Sequence, residues 1–140
     1  MNLTESDARR RLDGARVARL ASVTGAGRPH VVPVTFALDG DRIYSAVDAK
    51  PKTTTSLRRL RNIQANPQVA VLADHYEEDW ARLWWVRADG RAEIIDQPRL
   101  MARPLQLLAA RYPQYQETLP PGPVIAIQVE RWTAWAASAG

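Results

Sequence analysis

The alternation of apolar and polar residues along the chain predicts a protein made mostly of β-strands. Residues 16–23 (RVARLASV) alternate with the period of two that is typical of a strand with one buried face. Further strands are predicted at 29–38, 42–47, 68–73, 80–86, 90–95 and 124–129, and the stretches 80–86 and 90–95 are either two strands or one long bent strand. Short turns such as 39–41 (Asp-Gly-Asp) join neighbours, so we expect antiparallel pairing in a barrel or a sandwich.

Three segments instead show helical periodicity. Residues 4–13 begin with Thr4 as the N-cap and carry Asp7 at the capping-box position. Residues 53–65 and 98–111 each place apolar side chains on one stripe, which consists of Leu57, Leu60 and Ile63 in the first and of Leu100, Leu105 and Leu108 in the second. The order of elements predicts a single domain over residues 1–140 that is mainly β with a few helices.

Composition narrows the class of protein without identifying it. The chain has 140 residues, of which 46% are hydrophobic and 24% charged, as in an ordinary globular domain. It has no cysteine, which excludes disulfides, thiolate metal sites and a cysteine nucleophile. Neither an apolar segment at the N-terminus nor a long apolar stretch is present, so we expect a cytoplasmic protein without a membrane partner.

Positive charge is concentrated in one segment. Residues 49–73 contain no acidic residue and carry the five cations Lys50, Lys52, Arg58, Arg59 and Arg61. Removing these five from the formal net charge of +4 leaves −1 for the rest of the chain. The same segment opens a predicted helix, whose N-terminal N–H groups attract anions. The alternative is a solvated basic helix face, but the absence of acids favours an anion site. The run has no interleaved aromatic residues, so we expect no nucleic-acid partner.

Aromatic residues are concentrated in a second segment, which contains Trp80, Trp84 and Trp85. These side chains either stack on an aromatic ligand or serve as anchors of the core or of a dimer interface. The sequence has no serine nucleophile elbow, phosphate-binding P-loop, dinucleotide glycine fingerprint or metal-ligand spacing. An anion site and aromatic surface without acid–base groups are typical of a protein whose cofactor performs the chemistry, so we assign no catalytic side chain and no metal.

Four segments resemble the pyridoxamine 5′-phosphate oxidase-like superfamily of flavin-binding split β-barrels, over most of the chain. They are the Gly-Arg-Pro and apolar strand at 27–34, the strand at 43–45, the helix at 56–67 that ends in Asn-Pro, and the strand at 85–92. In the oxidases an Arg-Lys pair before the Asn-Pro grips the cofactor phosphate, and Arg58 and Arg59 stand at those positions. Trp85 stands where the oxidases carry a glutamine that contacts the flavin. The C-terminal substrate segment of the oxidases is missing, so oxidation of pyridoxine phosphate is not expected.

The resemblance implies an antiparallel split β-barrel of six to seven strands that works as a homodimer, with each cofactor site at the subunit interface. Within this superfamily the sequence more closely resembles the actinobacterial branch of oxidoreductases that use the deazaflavin coenzyme F420. The implied activity is hydride transfer to a small electron-poor organic substrate. An FMN-dependent oxidoreductase is one alternative, and a non-catalytic protein that binds flavin, F420 or haem is the other.

The resemblance also implies the residues that hold the cofactor. The ring system lies over two strands and beside Trp85, and the strand residues are Val32, Pro33, Val34, Tyr44, Ser45, Ala46 and Val47. The phosphate and tail are held by Lys50, Lys52, Arg58 and Arg59. Lys50 and Lys52 add more charge than one FMN phosphate needs, which favours the longer anionic tail of F420.

Overall fold

The computed structural model describes residues 1–47 and 54–138, with side chains from residue 58 onward in the second range. Over these residues the chain forms seven strands and four α-helices. The strands are β1 (Ala18–Val23), β2 (Pro29–Val34), β3 (Ala37–Asp39), β4 (Arg42–Ala46), β5 (Gln68–His75), β6 (Trp84–Ile95) and β7 (Val124–Ala136). The helices are α1 (Glu5–Asp13), α2 (Thr54–Ala65), α3 (Pro98–Arg111) and α4 (Pro113–Glu117), and a 3₁₀ turn spans Trp80–Arg82.

All seven strands belong to one antiparallel sheet in the order β2-β1-β5-β6-β7-β4-β3. Strands β2 and β3 are neighbours in sequence but lie at opposite ends of this order. The chain passes between them at Thr35 and Phe36, and the sheet curls into a half-barrel. The predicted fold class, a mainly β antiparallel split barrel with six to seven strands, is therefore confirmed.

Two apolar clusters lie on opposite faces of the sheet, because consecutive residues of β4 and of β7 belong to different clusters. The larger joins α1 to the inward-facing residues of the sheet around Leu20, Phe36, Val86 and Ile127. The smaller packs Met101, Leu105 and Leu108 of α3 and two tyrosines of the α3–α4 region against the end of β4. Thr4 caps α1 by accepting a hydrogen bond of 3.2 Å from the Asp7 N–H, as the capping pattern predicts.

Several predicted boundaries are corrected. The strand predicted at 29–38 is broken at Thr35–Phe36, because the buried Phe36 leaves the ladder of β2 and its N–H donates to the Tyr112 hydroxyl. The stretches predicted at 80–86 and 90–95 form one long strand, β6, preceded by the 3₁₀ turn. Strand β7 continues to Ala136, and α4 was not predicted.

The apolar stripe of α3 also differs by one residue from the prediction. Leu100 is half exposed, and Met101 takes its place in the core beside Leu105 and Leu108. Pro98 at the first turn fixes where the helix begins, one residue after Gln97. Among the residues that the structure describes, no helix has the length and apolar character needed to cross a membrane.

Candidate functional site

Polar side chains converge where β2 breaks, at the end of β4. Ser45 is buried, and its Oγ donates a hydrogen bond of 2.8 Å to the backbone oxygen of Thr35. The Thr35 hydroxyl lies 2.8 Å from the hydroxyl of Tyr115, which is on α4. These contacts join three segments that are distant in sequence, and they place the partly buried hydroxyls of Thr35 and Tyr115 side by side. We call Thr35, Ser45, Arg59 and Tyr115 the polar cluster.

Arg59 of α2 is grouped with these residues because, against the effect of burial, the Tyr115 phenol raises the pKa of its guanidinium. Its side chain is half-buried, and its Nε is shielded from solvent with no hydrogen-bond partner among the described residues. Burial lowers the pKa of Arg59, and the Tyr115 phenol acts in the opposite direction. Within the described chain, no carboxylate forms an ion pair with Arg59. A half-buried cation without a countercharge is suited to hold an anion.

Arg58 faces a different region. Together with Arg61, Asn62 and the β1–β2 turn at Thr24 and Gly25, it lines a cavity of ≈ 520 Å³. Arg59 does not line this cavity, since consecutive helical residues point about 100° apart. The two arginines that the resemblance assigns to one phosphate therefore lie on two faces of α2. Asn62 holds the helix in place, because its Nδ2 donates to the buried Ser22 Oγ of β1 at 3.1 Å.

The outer face of β2, β1, β5 and β6 carries an open apolar cavity of ≈ 440 Å³. Every second residue of these strands points into it, as the register of the ladders requires. The lining residues are Arg19, Ala21, Val31, Ala70, Leu72, Asp74, Tyr76, Trp85 and Arg87. We call this surface the outer face.

The three tryptophans of the aromatic segment occupy three environments. Trp80 is exposed on the 3₁₀ turn, and Trp84 packs against the larger core cluster with the Arg11 guanidinium 5.5 Å from its ring centre. Trp85 lies on the outer face. Because Trp84 and Trp85 are consecutive residues of one strand, their side chains point to opposite sides of the sheet.

The predicted cofactor residues on the strands fall into two groups. Tyr44, Ser45, Ala46, Val47, Val32 and Val34 are buried, so contact with a ligand in this chain falls to their backbone groups. Pro33 is exposed, and it pairs with Arg19 of the outer face. Lys50 and Lys52 lie outside the described residues. The structure thus places Ser45 against Thr35 in the polar cluster, and it places Trp85 and Pro33 on the outer face.

Sequence reasoning missed Thr35 and Tyr115. Thr35 lies in a segment whose sequence predicts one continuous strand. Tyr115 lies in a helix of five residues, which is too short to show helical periodicity. The signals that could have found them are the proline at 113 that starts a helical turn and the polar residue that interrupts the apolar run 31–38.

Comparison with protein families identifies the fold's relatives. The family model described as pyridoxamine 5′-phosphate oxidase matches residues 4–136. The chain belongs to this family. The match covers α1 through β7, so it includes both the polar cluster and the outer face. No curated protein matches the sequence.

Solved structures agree with this assignment. A conserved hypothetical protein from Mycobacterium tuberculosis superposes with a TM-score of 0.78 at 20% identity, covering 96% of this chain and 86% of that chain. An FAD-binding protein from Mesorhizobium loti gives 0.75 at 22%, with coverage of 96% and 95%. HutZ, the haem storage protein from Vibrio cholerae, gives 0.71 at 16%, with coverage of 94% and 93%. Relatives with this oxidase-like fold thus include flavin-binding and haem-storing proteins, and at these identities the likeness is one of fold.

Proposed function

We propose that this member of the oxidase family is an oxidoreductase that binds a flavin-type cofactor, with the deazaflavin F420 favoured over FMN. The observation that carries the proposal is Arg59, a half-buried guanidinium that has a shielded, unpartnered Nε and no countercharge among the described residues. A phosphate group supplies what this environment lacks, since phosphate oxygens accept charge-assisted hydrogen bonds from guanidinium. The residues present therefore fit a phosphorylated cofactor.

The protein's part in the reaction is binding, orientation and exclusion of water. Arg59 and Arg58 would hold anionic groups, and the buried strand ends at Val34 and Ser45 would present backbone N–H and C=O groups to a ring system. A bound deazaflavin supplies hydride for an electron-poor organic acceptor. We assign no side chain as a proton donor or nucleophile, because the sequence contains no acid–base motif.

Three features favour F420 over FMN. The five cations within residues 49–73 exceed what a single phosphate needs, and F420 carries a phosphodiester and a polyanionic tail. Arg58 and Arg61 line a cavity separate from the position of Arg59, which would suit a ligand with anionic groups at several points. Trp85 in place of the glutamine of the oxidases removes a polar contact to a flavin ring.

The first test is titration of the purified protein with F420 and with FMN, followed by quenching of cofactor fluorescence. Micromolar or tighter binding of F420 with much weaker binding of FMN supports the proposal, and turnover is then assayed with the reduced cofactor and quinones, enones or nitro compounds. Tight FMN binding with weak F420 binding would indicate an FMN-dependent oxidoreductase. Tight binding without transfer to any acceptor identifies a non-catalytic carrier. Binding of neither cofactor overturns the proposal.

Replacement of Arg58 and Arg59 by alanine tests the arginine assignment. We expect the double variant to bind the cofactor at least about tenfold more weakly, because each guanidinium contributes charge-assisted hydrogen bonds. The single variants separate the two faces of α2: Arg59→Ala should lose more affinity than Arg58→Ala if the phosphate lies at the polar cluster. Arg131→Ala, an exposed arginine of β7, is the matched control. An unchanged dissociation constant in the double variant would refute the assignment.

We further propose that the outer face binds a second copy of the chain and that the cofactor site lies at this interface. Val31 and Tyr76 are 59% and 67% exposed there, which is costly for a face of contiguous apolar side chains. Arg19 and Asp74 on the same face form no ion pair within the described chain. A two-fold contact would set Arg19 of one copy against Asp74 of the other and would cover Trp85.

A further inference from the structure

A further cavity, of ≈ 380 Å³, lies where β5 ends, β6 begins and β7 ends. His75, Trp84 and Ala136 follow one another across these three strands, because His75 pairs with Trp84 and Trp84 pairs with Ala136. Residues that pair directly in this way present their side chains on one face of the sheet. Helix α1 adds Arg11 to the lining, and the 3₁₀ turn adds Arg82. We call this space the end cavity.

The walls of the end cavity are held by contacts between the 3₁₀ turn and the residues that follow β7. The Ala137 N–H donates to the Leu83 oxygen at 2.9 Å, and the Ser138 hydroxyl donates to the Ala81 oxygen at 2.8 Å. The Asp79 carboxylate caps the turn by accepting from the Ala81 N–H at 3.0 Å. The cavity is therefore part of the folded framework, and its shape exists before a ligand binds.

Positively charged side chains line the end cavity, and none of the described acidic residues does. The Arg11 guanidinium lies over the Trp84 ring, 5.5 Å from its centre, and this contact orients the guanidinium. Arg82 enters from the 3₁₀ turn. Its Nε lies 3.4 Å from Glu77 Oε2, and its two Nη groups have no hydrogen-bond partner among the described residues. Arg82 therefore keeps donors for a ligand.

The acidic residues of the segment between β5 and β6 are engaged outside the end cavity. The Glu77 Oε2 contacts both His75 Nε2 and Arg82 Nε, so one carboxylate is shared by two of the groups that line the cavity. Asp79 caps the 3₁₀ turn, and Asp74 lies on the outer face. A carboxylate inside the cavity would thus meet hydrogen-bond donors rather than other acids.

The other part of the lining is apolar. It consists of the Trp84 indole and the side chains of Ala81, Leu83 and Ala136. Trp84 also packs against the larger core cluster, which holds the indole in place. Apolar surface beside guanidinium donors suits a ligand with an apolar body and one anionic group, and the volume is within the range of small-molecule sites, about 300–1,000 Å³.

The end cavity is separate from the cavity lined by Arg58. That cavity is at the β1–β2 turn, which is next to the start of β5 because Ala21 pairs with Ala70. The end cavity is at His75, the last residue of β5. The eight residues of β5 span about 23 Å at the usual rise of a strand. Within one chain, the two sites are therefore at opposite ends of a strand.

We propose that the end cavity binds a small organic carboxylate with an apolar body. The carboxylate oxygens accept hydrogen bonds from the Arg82 Nη groups, and the apolar body lies against Trp84. Arg11 and His75 complete the polar side of the site. This ligand site is additional to the cofactor site and does not depend on the proposed function.

Benzoate and benzamide test the site, since they share a ring and a size and differ in charge. Isothermal titration calorimetry of the full chain, without cofactor and at constant ionic strength, measures both. We expect benzoate to bind with a millimolar or lower dissociation constant, and benzamide to bind at least about tenfold more weakly. Acetate, which lacks the ring, should also bind at least about tenfold more weakly than benzoate. Absence of benzoate binding, or equal binding of benzamide, overturns the proposal.

Two variants separate the charge from the apolar body. Arg82→Gln changes a mostly exposed side chain, so the fold is kept, and benzoate affinity should fall at least about fivefold while benzamide affinity stays the same. Ala81→Leu fills part of the cavity and keeps the backbone contacts of the turn, so both ligands should bind more weakly. Arg131→Gln, on an exposed arginine of β7, is the matched control. Wild-type benzoate affinity in Arg82→Gln overturns the site.

The double variant of Arg58 and Arg59 to alanine shows where benzoate binds. We expect it to bind benzoate as the wild type does, because these arginines do not line the end cavity. Loss of benzoate binding in this variant would place the carboxylate at α2 and overturn the proposal. A wild type that binds benzoate in the expected pattern but neither F420 nor FMN would leave the end cavity assigned and refute only the proposed function.

Discussion

Gly90 shows how one residue is fixed by its surroundings in the sheet. It lies at the bulge where the register between β6 and β7 shifts, and it is buried. A Cβ at this position would lie 2.3 Å from the Gln128 backbone oxygen, which is shorter than a non-bonded carbon–oxygen contact allows. Glycine is therefore required at this bulge by the close approach of the neighbouring strand.

Replacement of Gly90 by alanine should destabilise the protein by about 1–3 kcal/mol, because the two longest strands must separate locally to admit the methyl group. Gly25→Ala is the control, since its Cβ would meet nothing within 4 Å. Urea unfolding followed by far-UV circular dichroism measures both. A Gly90→Ala variant as stable as Gly25→Ala would show that the bulge adapts.

For single residues of the candidate site, the sequence predicted where the positive charge is concentrated but not how the arginines are arranged in space. The five cations and their lack of acidic neighbours were visible in residues 49–73, and Arg59 does lie half-buried in α2. Their spacing in sequence could not reveal that Arg58 and Arg59 lie on different faces with different partners. That separation depends on which side of α2 is docked, and this is set by a contact with β1 that is 40 residues distant in sequence.

The docking of α2 as an element depends on a buried pair of polar groups. Asn62 is 4% exposed and Ser22 is 3% exposed, and the hydrogen bond between them joins the helix to the inward face of β1. Ser22→Ala leaves the Asn62 amide without this partner, and we expect a loss of about 1–3 kcal/mol in the free energy of unfolding. The helix that carries Arg58 and Arg59 would also shift, so cofactor affinity should fall as well.

The double variant Ser22→Ala with Asn62→Leu provides the second measurement. Replacing both partners with apolar groups removes the unsatisfied amide, so its stability should recover a substantial part of the loss. Denaturant unfolding of the wild type, both single variants and the double variant completes the cycle. Additive losses in the double variant would mean that the two groups do not interact in solution.

Elements with a strong period were predicted well, and elements that depend on distant contacts were not. The positions of α1 and α3 and the existence of every strand except β3 follow from apolar spacing and capping residues. The break that creates β3 depends on Phe36 entering the core beside Tyr112, 76 residues away. Helix α4 has five residues, so it is too short for a period to appear and is held by packing of Tyr115.

For the whole molecule, alternation along the strands divides the sheet into two faces. The larger core cluster fills the inward face, and the smaller one lies on the opposite face, between α3 and strands β4 and β7. The outer face of β2, β1, β5 and β6 carries apolar side chains with no covering element among the described residues. Strand alternation predicted that one face would be buried. It could not predict that the second face is also apolar at its centre, because Val31, Leu72 and Trp85 come from strands that are neighbours only in the folded sheet.

The last prediction follows from this second apolar face. Leu72 is 37% exposed and lies between Arg19 of β1 and Arg87 of β6, near the centre of the outer face. In a two-fold contact, Leu72→Asp would bury two carboxylates, one from each copy, so the dimer dissociation constant should rise at least about a hundredfold. Leu100→Asp places the same charge on α3, where the leucine is 50% exposed, and serves as the control for added charge.

Light scattering should give twice the mass of one chain for the wild type and for Leu100→Asp, and the mass of a single chain for Leu72→Asp at micromolar concentration. A monomeric wild type, or a Leu72→Asp variant that stays dimeric, would show that the outer face has another role. Weaker cofactor binding by the monomeric variant with unchanged circular dichroism would locate part of the cofactor site on the second copy.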